Sequence, residues 1–290
     1  MTRREILNTK INENVRKGLE FEFSEYLFCF GKTLLGRDIP AFKVGDGKKY
    51  AMYVGAHHAL EYPTENILYA MLYDLTKNPE AKDFYGMNRD ILLQKFTFFL
   101  IPALNLDGIA LVMGEALGNV LYDRQLRMSG GDFSCWQANA RGVDLNHNYD
   151  AGFFEYKAIE RERGIVPGPS LYSGEYPESE PESSAVANFY RALAPKLVVS
   201  LHSQGEEIFY SPKNAKTKRF AERFAKYSGY LVKTPEGTAA YGGLSDYTGA
   251  LGTPSLTLEI GRGKNPIKIS HLGEIYSRIR RPLLLAPTMF

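Results

Sequence analysis

Short apolar runs alternate with longer amphipathic segments along most of the chain. Runs of this length predict strands, and apolar residues recurring every third or fourth position predict helices. The predicted strands are Glu25–Phe30, Ile39–Val44, Tyr50–Gly55, Phe96–Ile101, Leu197–Leu201 and Ser255–Ile260. The predicted helices are Thr64–Leu75, Ser179–Leu193, Ala215–Tyr227 and Ile269–Leu284. Strands interleaved with helices indicate an α/β sandwich around a mainly parallel or mixed sheet.

Three local features add to this pattern. The sequence Ser179-Glu180-Pro181-Glu182 predicts a helix start in which Ser179 is the N-cap. Pro282 lies near the end of the last predicted helix, where we expect it to stop or kink that helix. Residues 105–152 show little periodicity, and so long an irregular stretch in a folded domain is usually functional.

Composition and charge limit the class of protein. The 290 residues are 44% hydrophobic and 23% charged, without repeats or linkers, which predicts one domain over residues 1–290. A net charge of +2 predicts no nucleic-acid partner, and no apolar run is long enough to span a membrane. Two cysteines form no disulfide framework, and no apolar signal segment follows Met1. We therefore expect a cytoplasmic protein, whose oligomeric state stays open.

Histidines follow two of the predicted strands, at the edge where α/β sheets concentrate their chemistry. His58 and Glu61 come after the strand that ends at Gly55, and their spacing lets both side chains face one point. His202 follows the strand Leu197–Leu201. Together they make the His₂Glu ligand set of catalytic zinc, one ion per chain. Taken singly, a chance HxxE tetrapeptide and a half-buried histidine would explain these residues as well.

Glu259 interrupts an otherwise apolar strand just before Gly261. A buried carboxylate costs several kcal/mol unless it is paired, so a structural salt bridge is one explanation. Beside a zinc ion, the same carboxylate would suit a general base.

Polar residues that could bind substrate lie in two further segments. Arg141 could stabilise an oxyanion, and Asn146 could bind a substrate carboxylate or amide, although a structural turn explains both. Tyr241 precedes two glycines and could move over a substrate, although most such tyrosines are simply packed.

Motifs along nearly the whole chain resemble the zinc metallocarboxypeptidase family. In order they are Leu35-Gly36-Arg37, Gly55 to Thr64, Asn105-Leu106-Asp107-Gly108, Gly142-Val143-Asp144-Leu145-Asn146, Ser179-Glu180-Pro181-Glu182, Leu201-His202-Ser203 and Leu258-Glu259-Ile260-Gly261. The resemblance implies a three-layer α/β/α sandwich with a mixed sheet of about eight strands. It also implies one zinc ion, an oxyanion-binding Arg and a mobile Tyr. The run from Trp136 to Asn146 is similar to the bacterial branch that includes γ-D-glutamyl-diaminopimelate peptidases.

Two departures from the family pattern bear on the substrate. The family's Asn-Arg pair, which clamps a C-terminal carboxylate, appears here as Asn146-His147, and an imidazole binds a carboxylate less well at neutral pH. Gln137 occupies a place similar to that of the family's oxyanion Arg, so Arg141 is only a candidate.

Ser245 and Asp246 resemble the lining of the pocket for the residue after the cut, although Asp246 could be structural.

These observations predict a zinc peptidase that hydrolyses the γ-D-Glu–diaminopimelate bond of cell-wall stem peptides. An ordinary carboxypeptidase acting on peptide C-termini is the alternative among enzymes. A peptide-binding protein without activity is the alternative outside them, although no ligand or base is missing from the sequence.

Overall fold

One mixed sheet runs through the part of the chain that the computed structural model describes, residues 1–78, 85–212 and 214–289. Its strand order is β1-β2-β4-β3-β5-β8-β6-β7. The four central strands, β4, β3, β5 and β8, are parallel. The strands are β1 Leu27–Lys32, β2 Asp38–Val44, β3 Lys49–Gly55, β4 Phe96–Ile101, β5 Leu197–His202, β6 Glu207–Tyr210, β7 Leu231–Lys233 and β8 Ser255–Glu259.

Helices cover both faces of the sheet. The helices are α1 Arg3–Asn8, α2 Glu13–Glu22, α3 Pro63–Thr76, α4 Arg89–Lys95, α5 Leu106–Met113, α6 Tyr122–Met128, α7 Phe153–Arg163, α8 Pro181–Leu193, α9 Ala215–Ser228, α10 Leu244–Ala250 and α11 Leu272–Leu285. Helices α1, α3, α9 and α11 share one apolar core with the sheet, and α8 and α10 share a second core with its other face. The three-layer α/β/α sandwich with about eight strands is thereby confirmed.

Alternate residues of the central strands enter the two cores, as the pleat of a strand requires. In β3, Ala51 and Tyr53 belong to the core with α3 and α11, whereas Met52 and Val54 belong to the core with α8. Both faces are covered, which explains why the central strands are nearly continuous apolar runs in the sequence.

The prediction of Ser179 as an N-cap is wrong, and of the two effects expected of Pro282 the stop does not occur while the kink stays a prediction. Helix α8 begins at Pro181 with Glu180 as its N-cap residue, because the Ser179 hydroxyl donates to the Glu180 carboxylate instead of capping the helix. Pro282 does not stop the last helix, which continues to Leu285 with this proline inside it. Its ring is buried in the fold, and tertiary packing outweighs the missing backbone donor.

The Asn105 side chain joins the loops beyond the carboxyl ends of the strands. This residue is fully buried, and its Nδ2 lies 3.0 Å from the His57 carbonyl oxygen, 3.1 Å from that of Gln137 and 3.0 Å from that of Ala138. Its Oδ1 accepts from the Gly108 N–H and so caps α5. One amide therefore fixes the loop that carries His57 against the irregular segment around residue 137.

We expect Asn105→Ala to lower the free energy of unfolding by about 2–4 kcal/mol. The substitution removes a helix cap and leaves buried carbonyl oxygens without a donor. Urea unfolding of the metal-free protein measures the loss. Asn188→Ala, at an exposed position of α8, is the matched control and should change the value by less than about 0.5 kcal/mol. Equal effects of the two substitutions would contradict the role given to Asn105.

Candidate metal centre

The carboxyl ends of β3, β5 and β8 lie side by side and carry the chemistry predicted from the sequence. Gly55 pairs with Leu201, and His202 pairs with Glu259. The chain leaves β3 through Ala56, whose φ is 49°, a left-handed conformation that is strained for a residue with a Cβ. This turn leads directly into the segment that carries His58 and Glu61.

His58, Glu61 and His202 converge on one point. One candidate ligand atom from each residue lies within 4.8 Å of the other two. The Nδ1 of His58 is 2.9 Å from Glu61 Oε1, and the Nδ1 of His202 is 2.9 Å from Glu61 Oε2. Glu61 belongs to a 3₁₀ turn, Ala59–Glu61, which brings its carboxylate back toward the ring three residues earlier.

The two imidazole rings are oriented by hydrogen bonds on their far side. His58 Nε2 lies 3.1 Å from Asp144 Oδ1, and His202 Nε2 lies 3.0 Å from the hydroxyl oxygen of Ser200. A hydrogen bond at Nε2 fixes the tautomer that leaves Nδ1 as a ligand atom, as is usual for histidines that bind metals. Both Nδ1 atoms thus face the Glu61 carboxylate.

These residues fit a zinc ion. Glu61 is buried, and its Oε2 lacks a hydrogen bond from any described residue, although His202 Nδ1 is near. Two imidazole nitrogens and a carboxylate oxygen are the protein ligands of many catalytic zinc sites. His58, Glu61 and His202 would therefore hold the ion.

The neighbouring charges stabilise a cation at this point. Burial lowers the pKa of His58, but Glu61 and Asp144 outweigh it and hold that pKa well above its ordinary value. Burial raises the pKa of Glu61, but His58 and His202 bring it down to about 2. Burial likewise opposes ionisation of Asp144, whose pKa is nevertheless lowered, chiefly by His58. Two carboxylates therefore stay ionised against the ligand rings.

His57 has a different place from its neighbour. Its ring stacks on His202, with 5.3 Å between the ring centroids, and its Nε2 lies 3.0 Å from the Tyr149 hydroxyl. Burial, followed by His202 and His58, lowers the pKa of His57 well below its ordinary value. His57 is therefore a neutral, buried ring behind the site, and His58 is the residue that meets Glu61.

Glu259 lies beside the ligands at the end of β8, half-buried. Burial and the Glu61 carboxylate raise its pKa well above the ordinary value, against the opposing effect of His58. No described Lys or Arg pairs with Glu259 within 4 Å, so the structural salt bridge considered for it is not formed.

A cleft of about 220 Å³ opens at these groups. The predicted substrate residues Asn146, His147 and Ser245 line it together with Asp246 and Gln137. None of the described residues that line it is a Lys or Arg. The described lining of the cleft therefore combines neutral polar groups with carboxylates, and histidine is the one residue type in it that can carry a positive charge.

Tyr241 and Arg141 lie outside the described lining of this cleft. The Tyr241 ring packs near Gly152 and 6.4 Å from the Tyr156 ring, between centroids, while its carbonyl oxygen lies 2.8 Å from His147 Nδ1. Arg141 Nη1 is 3.4 Å from a Glu180 carboxylate oxygen. The catalytic role of Arg141 and the substrate role of Tyr241 stay predictions.

Several residues of the site were not assigned a role from the sequence. Asp144 and Ser200 orient the ligand rings, and Tyr156 stacks on His147 with 4.2 Å between centroids. Thr257 lies in the cleft and its hydroxyl is 2.6 Å from that of Ser245. Two signals in the sequence could have identified the residues that orient the rings. Asp144 belongs to the motif Gly142-Val143-Asp144-Leu145-Asn146, and Ser200 precedes the ligand His202 by two residues on the same strand.

Comparison with known proteins places this geometry among zinc peptidases. The sequence model described as zinc carboxypeptidase matches residues 17–257. The chain is 30% identical over 254 residues to gamma-D-glutamyl-L-diamino acid endopeptidase 1 of Lysinibacillus sphaericus. That alignment covers 85% of this chain but only 63% of the endopeptidase, so the chain spans less than two thirds of that relative's length.

Two solved structures share the fold. Thrombin activatable fibrinolysis inhibitor superposes with a TM-score of 0.71 at 20% identity, covering 99% of this chain and 73% of that one. The murein-tripeptide amidase MpaA from Escherichia coli O157 superposes with a TM-score of 0.57 at 19% identity, covering 90% of this chain and 92% of that one. No helix in the described part of the chain combines the length and the apolar character needed to cross a membrane.

We expect Asp144→Asn to weaken zinc binding by about 10–100-fold, because the carboxylate orients the His58 ring through its Nε2 and makes Nδ1 a stronger donor to the metal. Competition with a chromophoric chelator measures the dissociation constant. Asp90→Asn, the same chemical change at an exposed position of α4, is the control and should leave zinc affinity unchanged. Unchanged affinity in Asp144→Asn would show that His58 needs no such partner.

We expect Glu259→Gln to stabilise the metal-free protein at neutral pH. The unfolded pKa of Glu is about 4.3, whereas the folded pKa is raised, so the folded state binds the proton more tightly and wild-type stability falls as pH rises above about 4.3. The glutamine side chain carries no charge at any pH, so the variant avoids this loss.

Urea unfolding with EDTA between about pH 4 and pH 8 measures this difference. Wild type and Glu259→Gln should coincide near the acid end, and the variant should become more stable by about 1–3 kcal/mol at the neutral end. A difference that does not change with pH would contradict the raised pKa of Glu259.

Proposed function

The chain belongs to the zinc carboxypeptidase family, and on that premise we propose that it hydrolyses the γ-D-Glu–diaminopimelate amide of murein-derived peptides. The observation that carries the catalytic part is the meeting of His58, Glu61 and His202 beside Glu259, whose pKa is raised. The 30% identity to an enzyme named as a γ-D-glutamyl-L-diamino acid endopeptidase supports the substrate class.

Glu259 is the general base and then the general acid. When bound, zinc supplies Lewis acidity that polarises the scissile carbonyl and activates water. A Glu259 carboxylate oxygen accepts the proton of the attacking water and passes it to the leaving amine nitrogen. Burial and the Glu61 carboxylate raise the pKa of Glu259, which makes its carboxylate a stronger base toward the proton of the water.

The composition of the cleft departs from the clamp by which the family binds a plain peptide C-terminus. A free C-terminal carboxylate is best bound by a bidentate guanidinium, and no Arg is among the described residues that line the cleft. His147 stands where the family pattern has that Arg, and its ring is stacked on Tyr156 with Nδ1 engaged by the Tyr241 carbonyl. Ser245 and Asp246 present polar groups suited to the charged end of a diamino acid.

We expect zinc-loaded protein to cleave L-Ala-γ-D-Glu-meso-diaminopimelate at the γ-amide, with about one zinc per chain. Glu259→Gln should lower kcat by about 10²–10⁴-fold, because the proton carrier is removed. Mass spectrometry of the products locates the cut, and metal analysis confirms that the variant still binds zinc.

The alternative activity has a distinct outcome in the same assay. Release of single C-terminal L-residues from plain peptides, without cleavage of the tripeptide, would make the protein an ordinary carboxypeptidase. Stoichiometric zinc without hydrolysis of either substrate would contradict both activities. Absence of zinc binding would contradict the metal centre itself.

A further inference from the structure

A second cavity, of about 710 Å³, lies on another side of the metal centre. Leu60 and Tyr62, the residues on either side of Glu61, form part of its wall. The segment Arg262–Lys268, which follows Glu259 and β8, forms another part. It shares no described lining residue with the cleft that contains Ser245. The two hollows are therefore separate: His58 and His202 line the cleft, whereas the neighbours of Glu61 in the chain line the second cavity.

Hydrogen bonds attach the wall of this cavity to the ligands. Asn265 Nδ2 donates to the Ser203 carbonyl oxygen at 2.6 Å and lies 3.5 Å from Glu61 Oε1. The Ser203 hydroxyl donates in turn to Asn265 Oδ1 at 2.8 Å. Ser203 directly follows His202 in the chain. Asn265 thus contacts one ligand and the neighbour of another, so a molecule in the cavity is separated from Glu61 by this one side chain.

The cavity wall carries cations without matching carboxylates. Its described lining contains no Asp or Glu, and its basic members are Lys10, Arg262, Lys264, Lys268 and His271. Arg262 is engaged by Glu206, with 2.9 Å between Nε and Oε2. Among the described residues, Lys10, Lys264 and Lys268 form no ion pair. Lys10 lies over the Tyr62 ring. Hydrogen bonds from Ser134 lower the pKa of Asp132, and the charge of Lys264 lowers that pKa to a smaller extent. An anion in this cavity would therefore meet lysines whose charge is not already neutralised.

The proposed substrate has an anion on the acyl side of its scissile bond. When D-Glu is linked through its γ-carboxyl group, its α-carboxylate remains free, about four bonds from the reacting carbonyl carbon. An ordinary α-linked peptide has no carboxylate at that place unless an acidic side chain supplies one. The cleft with Ser245 and Asp246 is assigned to the residue after the cut, which leaves the second cavity for the acyl side.

We propose that the cavity lined by Lys264 and Lys268 is a specificity subsite that binds the α-carboxylate of the γ-linked D-Glu residue. This inference rests on the proposed function, since it names the group by which that substrate is distinguished from plain peptides. The lysines are exposed, so their contribution is a screened attraction that acts on substrate binding rather than on the chemical step.

Two substrates that differ only in this group provide the test. One is L-Ala-γ-D-Glu-meso-diaminopimelate, and the other carries an amide in place of the D-Glu α-carboxylate; the scissile bond is identical. Wild type should prefer the acid form by about ten-fold or more in kcat/KM, mainly through KM, and added salt should reduce that preference.

The double variant Lys264→Glu/Lys268→Glu should lose this preference. Its KM for the acid form should rise about ten-fold, while kcat/KM for the amide form should stay within about two-fold of wild type. Lys196→Glu is the matched control, because Lys196 precedes β5 and lies about 20 Å from His202 at the other end of that strand. It should leave the preference unchanged.

Each outcome separates the inference from the function on which it rests. Equal hydrolysis of both substrates by wild type, or an equal loss on both in the double variant, would overturn the subsite and leave the peptidase activity intact. If wild type cleaves neither substrate, the proposed function fails. In that case, calorimetry measures the binding of L-Ala-D-Glu and of L-Ala-D-isoglutamine to the zinc-loaded protein. The subsite is supported if L-Ala-D-Glu, which has the free α-carboxylate, binds more tightly and the double variant loses this difference. Any other result overturns the subsite.

Discussion

The parallel register of β3, β5 and β8 is the constraint on which the rest of the site depends. This register makes His202 and Glu259 direct partners and sets Gly55 beside Leu201, so the loop with His58 leaves the sheet next to both. A shift of one residue in β8 would turn the Glu259 side chain to the opposite face of the sheet. The apolar cores on both faces oppose such a shift, and in this way core packing sets the position of Glu259.

Orientation within the site depends on a second layer of hydrogen bonds. Asp144 and Ser200 hold the two ligand rings from behind, and Asn105 holds the loop that carries His57. The bonds of Asp144 and Asn105 join segments distant in sequence, and they hold the irregular stretch after β4 against the strand ends. The buried carboxylates that result make the site favourable for a cation and unfavourable for a further ionised carboxyl, as the raised pKa of Glu259 reflects.

The sequence predicted the sheet, its main helices and the residues that converge on the metal position, because apolar periodicity locates strand ends. It did not predict α5 and α6, which lie in the stretch with little periodicity, or the short strands β6 and β7, of which β7 forms the edge of the sheet. The predicted cap at Ser179 is absent because the Ser179 hydroxyl donates to the Glu180 carboxylate. The sequence pattern of a helix start does not show which of these two contacts forms. The same limit applies to Asp144, whose role arises from a tertiary contact.

Charge around the metal centre is distributed unevenly, and that distribution bears on which bond is cut. The cleft assigned to the leaving group lacks Lys and Arg in its described lining, whereas the cavity walled by Leu60 and Tyr62 is lined by lysines that form no ion pair with any described residue. An enzyme that trims C-termini needs its cation on the leaving-group side, where the terminal carboxylate lies. A γ-D-glutamyl bond adds a carboxylate on the acyl side to whatever carboxylate the leaving diamino acid carries. The lysines of the second cavity are the described cations that could meet that additional carboxylate, which an α-linked peptide lacks.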